Sequence, residues 1–472
     1  MKNLLSIIIL FWDKILSNTQ KNLIFCTFTL FVFTGAYAQF GPKQIISQDE
    51  LSTPRKIYLS DIDNNGFIDI LTASSNEISV FYNNLQNNGF SSQVVVVDGI
   101  SLNYALCASD LDGDGDQDIM GASFEQNSRI FWVENLLETA SFSGKNYFLS
   151  SFSGPYDIIT TDLDGDGDQD VVVQIDGVDK IIYYKNLDGL GNFGPPQIVT
   201  TGGTNGRSVK AADLDGDGDM DLAASGSGGI QLSWFENTDS EGTYGPVQVI
   251  QGEGSGVQSI FLADFDNDGD MDILKGVYVG PLAWHENIDG FGTFGAEQVI
   301  DSSIQFIVSV FAADLDNDGD MDALATNDNS ASWWENTDGQ GTFGPKQDFA
   351  TDFNFAIGIL AADLDNDGDQ DVIVAGQNDD TISWFENLTI LSVPKEQLID
   401  FSIFPNPAHD TIRLNVKGVN DYQITVTDML GRIILKNEQN LNIVDLSSLA
   451  SGVFLIVVSD GQKKLTKKIV KI

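Results

Sequence analysis

The sequence predicts an all-β protein, a seven-bladed β-propeller followed by a small Ig-like β-sandwich, and three observations support this fold. First, a nine-residue acidic motif occurs seven times, starting at Asp61, Asp110, Asp162, Asp213, Asp264, Asp314 and Asp363. Second, successive motifs begin 49 to 52 residues apart, a period typical of repeat architectures. Third, each period holds four short runs with the alternation and the aromatic and β-branched residues typical of strands.

The four runs follow one another in the same order in each repeat. The first ends at the acidic motif, as in VSVFAAD from Val308, and the second follows it, as in MDALAT from Met321. The third is aromatic, as in SWWEN from Ser332, and a Gly-rich turn leads to the fourth. Fourth runs lie near Gln44, Gln93, Tyr147, Gln197, Gln248, Gln298 and Gln347.

The phase of the repeat predicts how the ring closes. The seventh repeat has only three runs and ends at Asn387, whereas a fourth run, Phe40 to Ile46, precedes the first acidic motif. We therefore predict that this N-terminal run completes the last blade. Such pairing closes the ring and leaves no strand edge exposed at the seam.

The acidic motif has the pattern of a calcium loop. In the copy from Asp314, carboxylates stand at positions one, three, five, seven and nine, and Gly319 permits a sharp turn. Calcium takes six to eight oxygen ligands, which this spacing can supply. A single Asp-Gly stretch could be an ordinary turn. Six copies with five carboxylates each would repel strongly without a cation, so we favour calcium.

The sequence thus predicts about seven Ca²⁺ ions, one in each loop. Position seven contributes its main-chain carbonyl and the other positions contribute side chains, and Asn65 and Phe67 make the first loop the weakest. The predicted metal-binding residues are Asp61, Asp63, Asn65, Phe67 and Asp69; Asp110, Asp112, Asp114, Asp116 and Asp118; Asp162, Asp164, Asp166, Asp168 and Asp170; Asp213, Asp215, Asp217, Asp219 and Asp221; Asp264, Asp266, Asp268, Asp270 and Asp272; Asp314, Asp316, Asp318, Asp320 and Asp322; Asp363, Asp365, Asp367, Asp369 and Asp371.

Composition narrows the function classes. The chain has 24 Lys and Arg against 69 Asp and Glu, a net charge of −45, and the acids are concentrated in the repeats. Nucleic acid is an improbable partner for such a surface. The two cysteines are Cys26, in an N-terminal apolar run, and Cys107, which we expect to be a buried small hydrophobe.

The N-terminus is predicted to be a signal peptide over residues 1–38. An apolar run from Leu23 to Phe33 precedes the small-x-small triplet Ala36-Tyr37-Ala38, so we expect the mature chain to begin at Gln39. The alternative is an uncleaved membrane anchor. The run is too short to span a bilayer, and we expect no stable transmembrane anchor elsewhere.

Aromatic and cationic residues outside the loops raise the question of a ligand. Trp132, Trp234, Trp284, Trp333 and Trp384 recur at one repeat position, and a residue needed in every blade is expected to pack between blades. On the face opposite the calcium loops, the candidate ligand contacts are Arg55, Tyr156, Arg207 and Phe353.

These residues carry a family resemblance. The DxDxDGxxD loops, the FGP turns and the period of about fifty residues resemble FG-GAP or VCBS repeats, and the resemblance covers about Phe40 to Leu388. It implies a propeller in which the loop joins the first and second strands of each blade. It also implies calcium binding by positions one, three, five, seven and nine of each loop. From the extent of the resemblance, residues 39–388 are assigned to the propeller.

The C-terminal region differs in composition. A linker over 389–400 contains Pro394, and the domain over 401–472 has short alternating runs that indicate a small antiparallel sandwich. Its FPNPA from Phe404, its LASGVFLIVV from Leu449 and its terminal KIVKI resemble the type A sorting domain of type IX secretion. The resemblance implies that the type IX secretion machinery is a partner and that the protein is secreted or held at the outer-membrane surface. The alternative is an ordinary Ig-like binding module.

The function predicted from these features is a secreted or cell-surface binding or adhesion module for a glycan or protein ligand. The alternative is an extracellular polysaccharide lyase or hydrolase built on the propeller. The chain has only two histidines, His285 and His409, and neither a phosphate loop nor a nucleophile elbow, so the sequence predicts that it is not an enzyme. Propeller sites built from scattered residues can escape this criterion.

Overall fold

The computed structural model describes residues 40–472 apart from 49–50, 85–88, 101–103, 124–128, 149–153, 177–179, 202–205, 228–231, 251, 253–254, 389–399, 405, 418–422, 428–431, 438–442 and 460–463. The predicted signal peptide and almost all of the predicted linker lie outside these residues. The described residues are almost entirely strands and turns, with one 3₁₀ turn at Leu137–Thr139. Within them, no helix has the length and apolar character needed to cross a membrane.

Seven antiparallel sheets of four strands make up the repeat region, which confirms the predicted propeller. Each sheet is a blade, numbered here in chain order, and its strands are numbered from the first to the fourth. Blades one to three are Lys56–Ser60, Asp69–Ala73, Ile78–Phe81, Val94–Val97; Leu106–Ser109, Asp118–Ala122, Ile130–Val133, Asn146–Tyr147; and Pro155–Thr161, Asp170–Ile175, Lys180–Tyr184, Gln197–Thr201. Blades four to six are Gly206–Ala212, Asp221–Gly226, Leu232–Phe235, Gln248–Val249; Ser255–Ala263, Asp272–Val279, Leu282–His285, Gln298–Asp301; and Ser309–Ala313, Asp322–Thr326, Ala331–Trp334, Gln347–Ala350. Blade seven is Ala356–Ala362, Asp371–Gly376, Thr381–Phe385, Gln44–Gln48.

The first strands of the blades form the inner wall of a ring. Each first strand contacts the first strand of the next blade, from blade one to blade seven and back to blade one. Because every first strand runs toward its acidic loop, all seven loops lie on one face of the ring, which we call the loop face. The opposite face carries the starts of the first strands, about 20 Å away along a seven-residue strand.

The N-terminal strand closes the ring, as predicted. Gln44–Gln48 pairs antiparallel with Thr381–Phe385, so that Gln44 lies opposite Trp384. Phe40 adds a bridge to Asn387, the residue that ends the third strand region of blade seven. The last blade therefore takes its first three strands from residues 356–385 and its fourth from the beginning of the described chain.

The cores lie between neighbouring blades, where the recurrent tryptophans are buried as predicted. Trp284 of blade five is fully buried and packs against the turn of blade six. A Cβ atom at Gly341 in that turn would lie 2.1 Å from Trp284 Cζ2, so only glycine fits there. Cys107 is also buried, which agrees with its prediction, and burial raises the pKa of its thiol.

The C-terminal unit is described on its own, because the chain divides into two compact units between Ile390 and Leu391. One sheet contains Asp400–Phe404, Thr411–Lys417 and Ile443–Asp445, and the other contains Ile433–Asn437, Gln423–Thr427, Gly452–Ser459 and Lys464–Lys471. Residues from both sheets share one buried core, for example Ile412, Val444, Ile424, Ile456 and Ile469. The unit is thus a small β-sandwich.

Removal of residues 39–48 is expected to lower the melting temperature of the propeller and to expose the edge of Thr381–Phe385. The physical reason is the loss of an entire strand of main-chain hydrogen bonds and the creation of an open sheet edge. Thermal unfolding and limited proteolysis measure the effect, and a chain that begins at residue 39 is the control. Equal stability of the two chains would contradict the closing role of this strand.

Candidate functional site

The seven acidic loops share one backbone conformation. The residue at position six is glycine in every loop and has a positive φ, between +86° and +101°. Position four also has a positive φ in every loop, and it is always Asn or Gly, for example Asn317 at 60° and Gly113 at 76°. Glycine and asparagine tolerate this left-handed region best, which explains why position four is Asn in four loops and Gly in three.

The aspartate at position one holds the turn together from inside. In the loop from Asp314, one carboxylate oxygen accepts the N–H of Asp318 at 3.1 Å and the other accepts the N–H of Gly319 at 3.0 Å. The aspartate at position five makes a similar bond within the turn, since Asp318 Oδ1 accepts the N–H of Asp320 at 3.0 Å. These bonds orient the acidic side chains toward the middle of the loop.

The aspartate at position nine is fully buried in every loop and links three parts of the fold. In blade four, Asp221 Oδ2 accepts the N–H of Leu214 at 2.9 Å, and Oδ1 accepts the N–H of Asn237 at 2.7 Å. The same pair of bonds occurs in all seven blades. This carboxylate therefore supports the fold in addition to its predicted role as a ligand.

The asparagine that follows each third strand joins neighbouring blades. Asn237 Nδ2 donates to the carbonyl of Leu163, which lies at position two of the loop in blade three, at 2.9 Å. Every blade makes the equivalent bond to the preceding blade, and blade one bonds blade seven through Asn83 and Leu364 at 2.8 Å. We call these seven side chains the asparagine ring: Asn83, Asn135, Asn186, Asn237, Asn287, Asn336 and Asn387.

The loops bring carboxylates together as a metal site would require. In at least five of them, three acidic side chains place ligand oxygens within 4.8 Å of one another, at positions one, three and nine in four loops and at one, three and five in the loop from Asp162. Position three carries a buried oxygen, Oδ1, without a hydrogen-bond partner among the described residues in Asp112, Asp164, Asp215, Asp266 and Asp316. A buried carboxylate oxygen without a donor is costly unless a cation neutralises it, so these clusters fit a metal ion.

Burial and mutual repulsion alter the titration of these acids in the metal-free protein. Burial raises the pKa at position nine to about 7 in Asp69, Asp118, Asp170, Asp221 and Asp272, and to about 8 in Asp322 and Asp371. Burial and the neighbouring Asp318 raise the pKa of Asp316 to about 6. Both causes penalise the ionised form, and a bound cation would remove the penalty.

Position seven differs from the other acidic positions. Asp320 Oδ1 accepts from Asn267 Nδ2 of the neighbouring loop at 2.7 Å, and Asp219 Oδ2 accepts from Ser240 Oγ at 2.9 Å. In these two blades the side chain thus binds an adjacent loop or turn, and the main-chain carbonyl stays the predicted ligand. Oδ1 of Asp116 and of Asp219 is nevertheless buried without a hydrogen-bond partner among the described residues, as at position three. The first loop has Phe67 at position seven, while Asn65 Oδ1 still accepts the N–H of Phe67 at 2.8 Å.

On the face opposite the loop face, three of the four predicted ligand contacts come together. Arg55, Tyr156 and Arg207 line a central funnel of about 610 Å³ to which all seven blades contribute. Phe353 does not belong to it. Its side chain is buried against Phe385 and lies under Lys43, so it is separate from the other three candidate contacts.

Sequence reasoning missed Tyr104, Lys56, Lys210 and Asp157 in the same funnel. A signal for Tyr104 was present, because Arg55, Tyr104, Tyr156 and Arg207 each stand six residues before the first aspartate of a loop. The histidine of the propeller lies elsewhere: His285 is buried in blade five, beside an ion pair between Lys275 and Glu297.

Comparison with known families shows two matches. The model of the FG-GAP-like repeat matches residues 61–121, 110–173, 162–224, 213–274 and 314–374, which together cover more than half of the chain. The model of the secretion system C-terminal sorting domain matches residues 402–472. This domain directs the chain through type IX secretion to the cell surface or the extracellular space, and it implies contact with the secretion machinery.

Two curated relatives match a short stretch. An ulvan lyase of Nonlabens ulvanivorans is 27% identical over 97 residues, and an endo-acting ulvan lyase of Formosa agariphila is 30% identical over 104 residues. Each match covers 20% of this chain, and the chain spans about a fifth of each relative's length. These relatives overturn the prediction that the chain is not an enzyme. A lyase can use Lys or Tyr as its base, so the scarcity of His and Cys did not exclude catalysis.

Solved structures resemble the fold at low sequence identity. A chain from the crystal structure of BBS1N in complex with ARL6DN has a TM-score of 0.52 at 9% identity, covering 74% of this chain and 96% of that one. An Agrocybe aegerita lectin that recognises non-reducing terminal N-acetylglucosamine has a TM-score of 0.49 at 19% identity, covering 72% and 87%.

Replacement of Asn237 by Ala is expected to lower the free energy of unfolding by about 1–3 kcal/mol, because the buried carbonyl of Leu163 loses its donor. Denaturant unfolding in calcium measures the change. The matched control is Asn84→Ala, since Asn84 is exposed and follows directly after an asparagine of the ring. A loss no larger than that of the control would contradict the role of the asparagine ring.

Metal-free propeller is expected to gain stability as the pH falls from 8 to 6. The position-nine carboxyls have folded-state pKa values of about 7 to 8, above those of the unfolded chain, so the folded state binds more protons in this range. Melting temperatures of dialysed, calcium-free protein at several pH values measure the trend. Saturating calcium should abolish or reverse it, because protons then compete with the metal.

Proposed function

Because the chain belongs to the FG-GAP-like repeat family, we propose that it is a calcium-loaded extracellular propeller that binds a polysaccharide in its central funnel. The calcium ions stabilise the loop face, and the opposite face recognises the ligand. The observation that carries the binding proposal is the funnel itself, a cavity of about 610 Å³ lined by all seven blades. Ligand sites typically occupy about 300–1,000 Å³.

Calcium is proposed for all seven loops, with the side chains at positions one, three, five and nine and the carbonyl at position seven as ligands. The buried, unpartnered oxygens at position three support this, as does the repeated grouping of three acidic side chains. Hard carboxylate and carbonyl oxygens suit calcium better than a softer transition metal. The ions would offset carboxylate repulsion and hold each loop in place.

A polysaccharide ligand is supported by the place of the protein and by its relatives. The sorting domain delivers the propeller to the cell surface or beyond, where polysaccharides are accessible. Both curated relatives are named for a polysaccharide, although the matched stretch is a fifth of this chain. The funnel also offers hydroxyl, guanidinium and ammonium groups, which suit a ligand rich in oxygen atoms.

The second candidate function is cleavage of the bound polysaccharide by elimination, and the names of the two relatives favour it. Elimination beside a carboxyl group needs a base that takes the proton next to that group and a cation that stabilises the resulting charge. Lys210 is the candidate base: it lines the funnel, and burial lowers the pKa of its ammonium group, against the opposing effect of its ion pair with Asp157. Arg207 fits the cation.

Replacement of Asp215 by Asn is expected to lower the calcium content by one ion and to reduce the melting temperature in calcium, because position three loses its charge. Metal analysis of dialysed protein and thermal unfolding measure the two effects. The control is Asp98→Asn, an exposed acid outside the loops. A wild-type content below about four ions per chain would contradict the assignment of seven loops.

Binding and cleavage are tested together on the chain from residue 39 in millimolar calcium. A glycan array and affinity electrophoresis with soluble polysaccharides are expected to show binding to at least one polysaccharide. The polysaccharides that bind are then incubated with the protein. The ultraviolet absorbance of an unsaturated sugar would establish elimination, new reducing ends without that absorbance would establish hydrolysis, and neither signal would leave binding as the function. Absence of binding to any polysaccharide would contradict the proposal.

A further inference from the structure

The funnel has one ring of residues drawn from the same repeat position in all seven blades. The residue six positions before the first aspartate of each loop lines the funnel: Arg55, Tyr104, Tyr156, Arg207, Gln258, Val308 and Ile357. The ring is uneven. Blades one to four supply two guanidinium groups and two phenols, whereas blades five to seven supply an amide and two aliphatic side chains. A ligand would therefore meet guanidinium and phenol groups on the side of blades one to four, and uncharged side chains on the side of blades five to seven.

The two arginines and two tyrosines of this ring form a continuous stack. The Arg55 guanidinium lies 4.7 Å from the centre of the Tyr104 ring, and the Tyr104 and Tyr156 rings are parallel within 10° with centres 5.1 Å apart. The Arg207 guanidinium lies 4.5 Å from the centre of the Tyr156 ring. We call Arg55, Tyr104, Tyr156 and Arg207 the arginine–tyrosine rail.

The rail presents hydrogen-bond donors rather than open aromatic faces. The two tyrosine rings stack on each other, and each has a guanidinium group beside it, with Arg55 Nη1 donating to the Tyr104 hydroxyl. A ligand therefore meets ring edges, phenol oxygens and the N–H groups of two half-buried arginines. Nε of both Arg55 and Arg207 has no hydrogen-bond partner among the described residues.

The charge of the funnel is the reverse of the charge of the chain. Acids outnumber bases by 69 to 24 over the whole sequence. Around the funnel, Arg55, Lys56, Arg207 and Lys210 face a single lining acid, Asp157. Four basic residues from blades one and four thus line the funnel, and the field inside it favours anions.

The acids near the funnel neutralise these four cations only in part. Asp157 is buried and shared, with Lys56 Nζ at 2.9 Å from one carboxylate oxygen and Lys210 Nζ at 3.4 Å from the other. Although burial alone would raise the pKa of Asp157, the two lysines lower it to about 2, so the carboxylate stays ionised. One negative charge thus faces two ammonium groups. Asp176 pairs with Arg207 at 3.2 Å, and Arg55 has no acidic partner in the described structure.

We propose that the arginine–tyrosine rail is a subsite for acidic saccharides, in which the two guanidinium groups bind carboxylate or sulfate groups carried by the sugar. Guanidinium binds such planar or tetrahedral oxyanions through two N–H groups at once. The two arginines stand at opposite ends of the rail, so they would bind separate anionic groups of one chain. The inference rests on the proposed function, since it names the class of polysaccharide that the funnel takes.

The test uses matched pairs of immobilised glycans that differ only in charge. One pair is oligogalacturonate and its methyl ester, and the other is a carrageenan oligosaccharide and its desulfated form. The chain from residue 39 is measured in calcium, together with Arg207→Gln, Arg55→Gln and the control Lys145→Gln. Lys145 lies on the outer edge of blade two, just before its fourth strand, and does not line the funnel.

The wild-type chain is expected to bind a charged glycan at least about tenfold more tightly than its neutral partner, and each arginine variant to lose about tenfold or more. The pair that responds tells carboxylate from sulfate recognition. The control should bind as wild type, and unchanged melting temperatures exclude misfolding. If an arginine variant unfolds, the other variant and the comparison of charged with neutral glycans still decide the matter.

Two results would overturn the inference, and they differ from failure of the proposed function. Equal binding of charged and neutral partners, or charged binding that neither arginine variant weakens, would remove the rail as an anion subsite while polysaccharide binding stands. Absence of binding to every polysaccharide would remove the proposed function and the inference with it.

Discussion

The fold depends on a buried carboxylate that is satisfied entirely by backbone donors. The aspartate at position nine of each loop accepts one N–H from its own loop and one from the residue after the third strand. That residue is the asparagine whose side chain bonds the previous blade. The aspartate and the asparagine of each blade therefore fix the positions of three strands and of the preceding blade. These bonds run from each blade to the one before it and return to the start. The loss of any single bond is therefore expected to destabilise the closed ring.

The same arrangement separates support from recognition. Each first strand begins at the funnel and ends at an acidic loop. The loop face therefore has the same backbone conformation in all seven blades. The opposite face varies from blade to blade, as the series Arg55, Tyr104, Tyr156, Arg207, Gln258, Val308 and Ile357 illustrates. The acids at position nine remain buried whichever residue stands at the other end of the strand. The repeat can therefore change its ligand-facing residues without disturbing the loops.

Much of the fold was predictable because its local rules are visible in sequence. Left-handed residues at positions four and six restrict these positions to Asn and Gly, and the phase of the runs revealed that Gln44–Gln48 completes blade seven. The funnel was predictable only in part, because its partners are distant along the chain. Tyr104 stacks on Tyr156, and Lys56 pairs with Asp157, although the residues of each pair belong to different blades. Phe353 lies outside the funnel, and a polar loop does not reveal in sequence that one of its side chains turns inward.

Closure by the N-terminal strand sets the order in which the molecule can become complete. Gln44 and Trp384 are neighbours in space but belong to opposite ends of the propeller sequence. A chain that emerges from the ribosome, or threads through a membrane, delivers Gln44 first and its partner after almost the whole propeller. The early strand must wait unpaired, and contacts of such long sequence separation form slowly. The ring can therefore close only when the chain extends to the third strand of blade seven. A propeller that ends earlier has no third strand with which Gln44–Gln48 could pair.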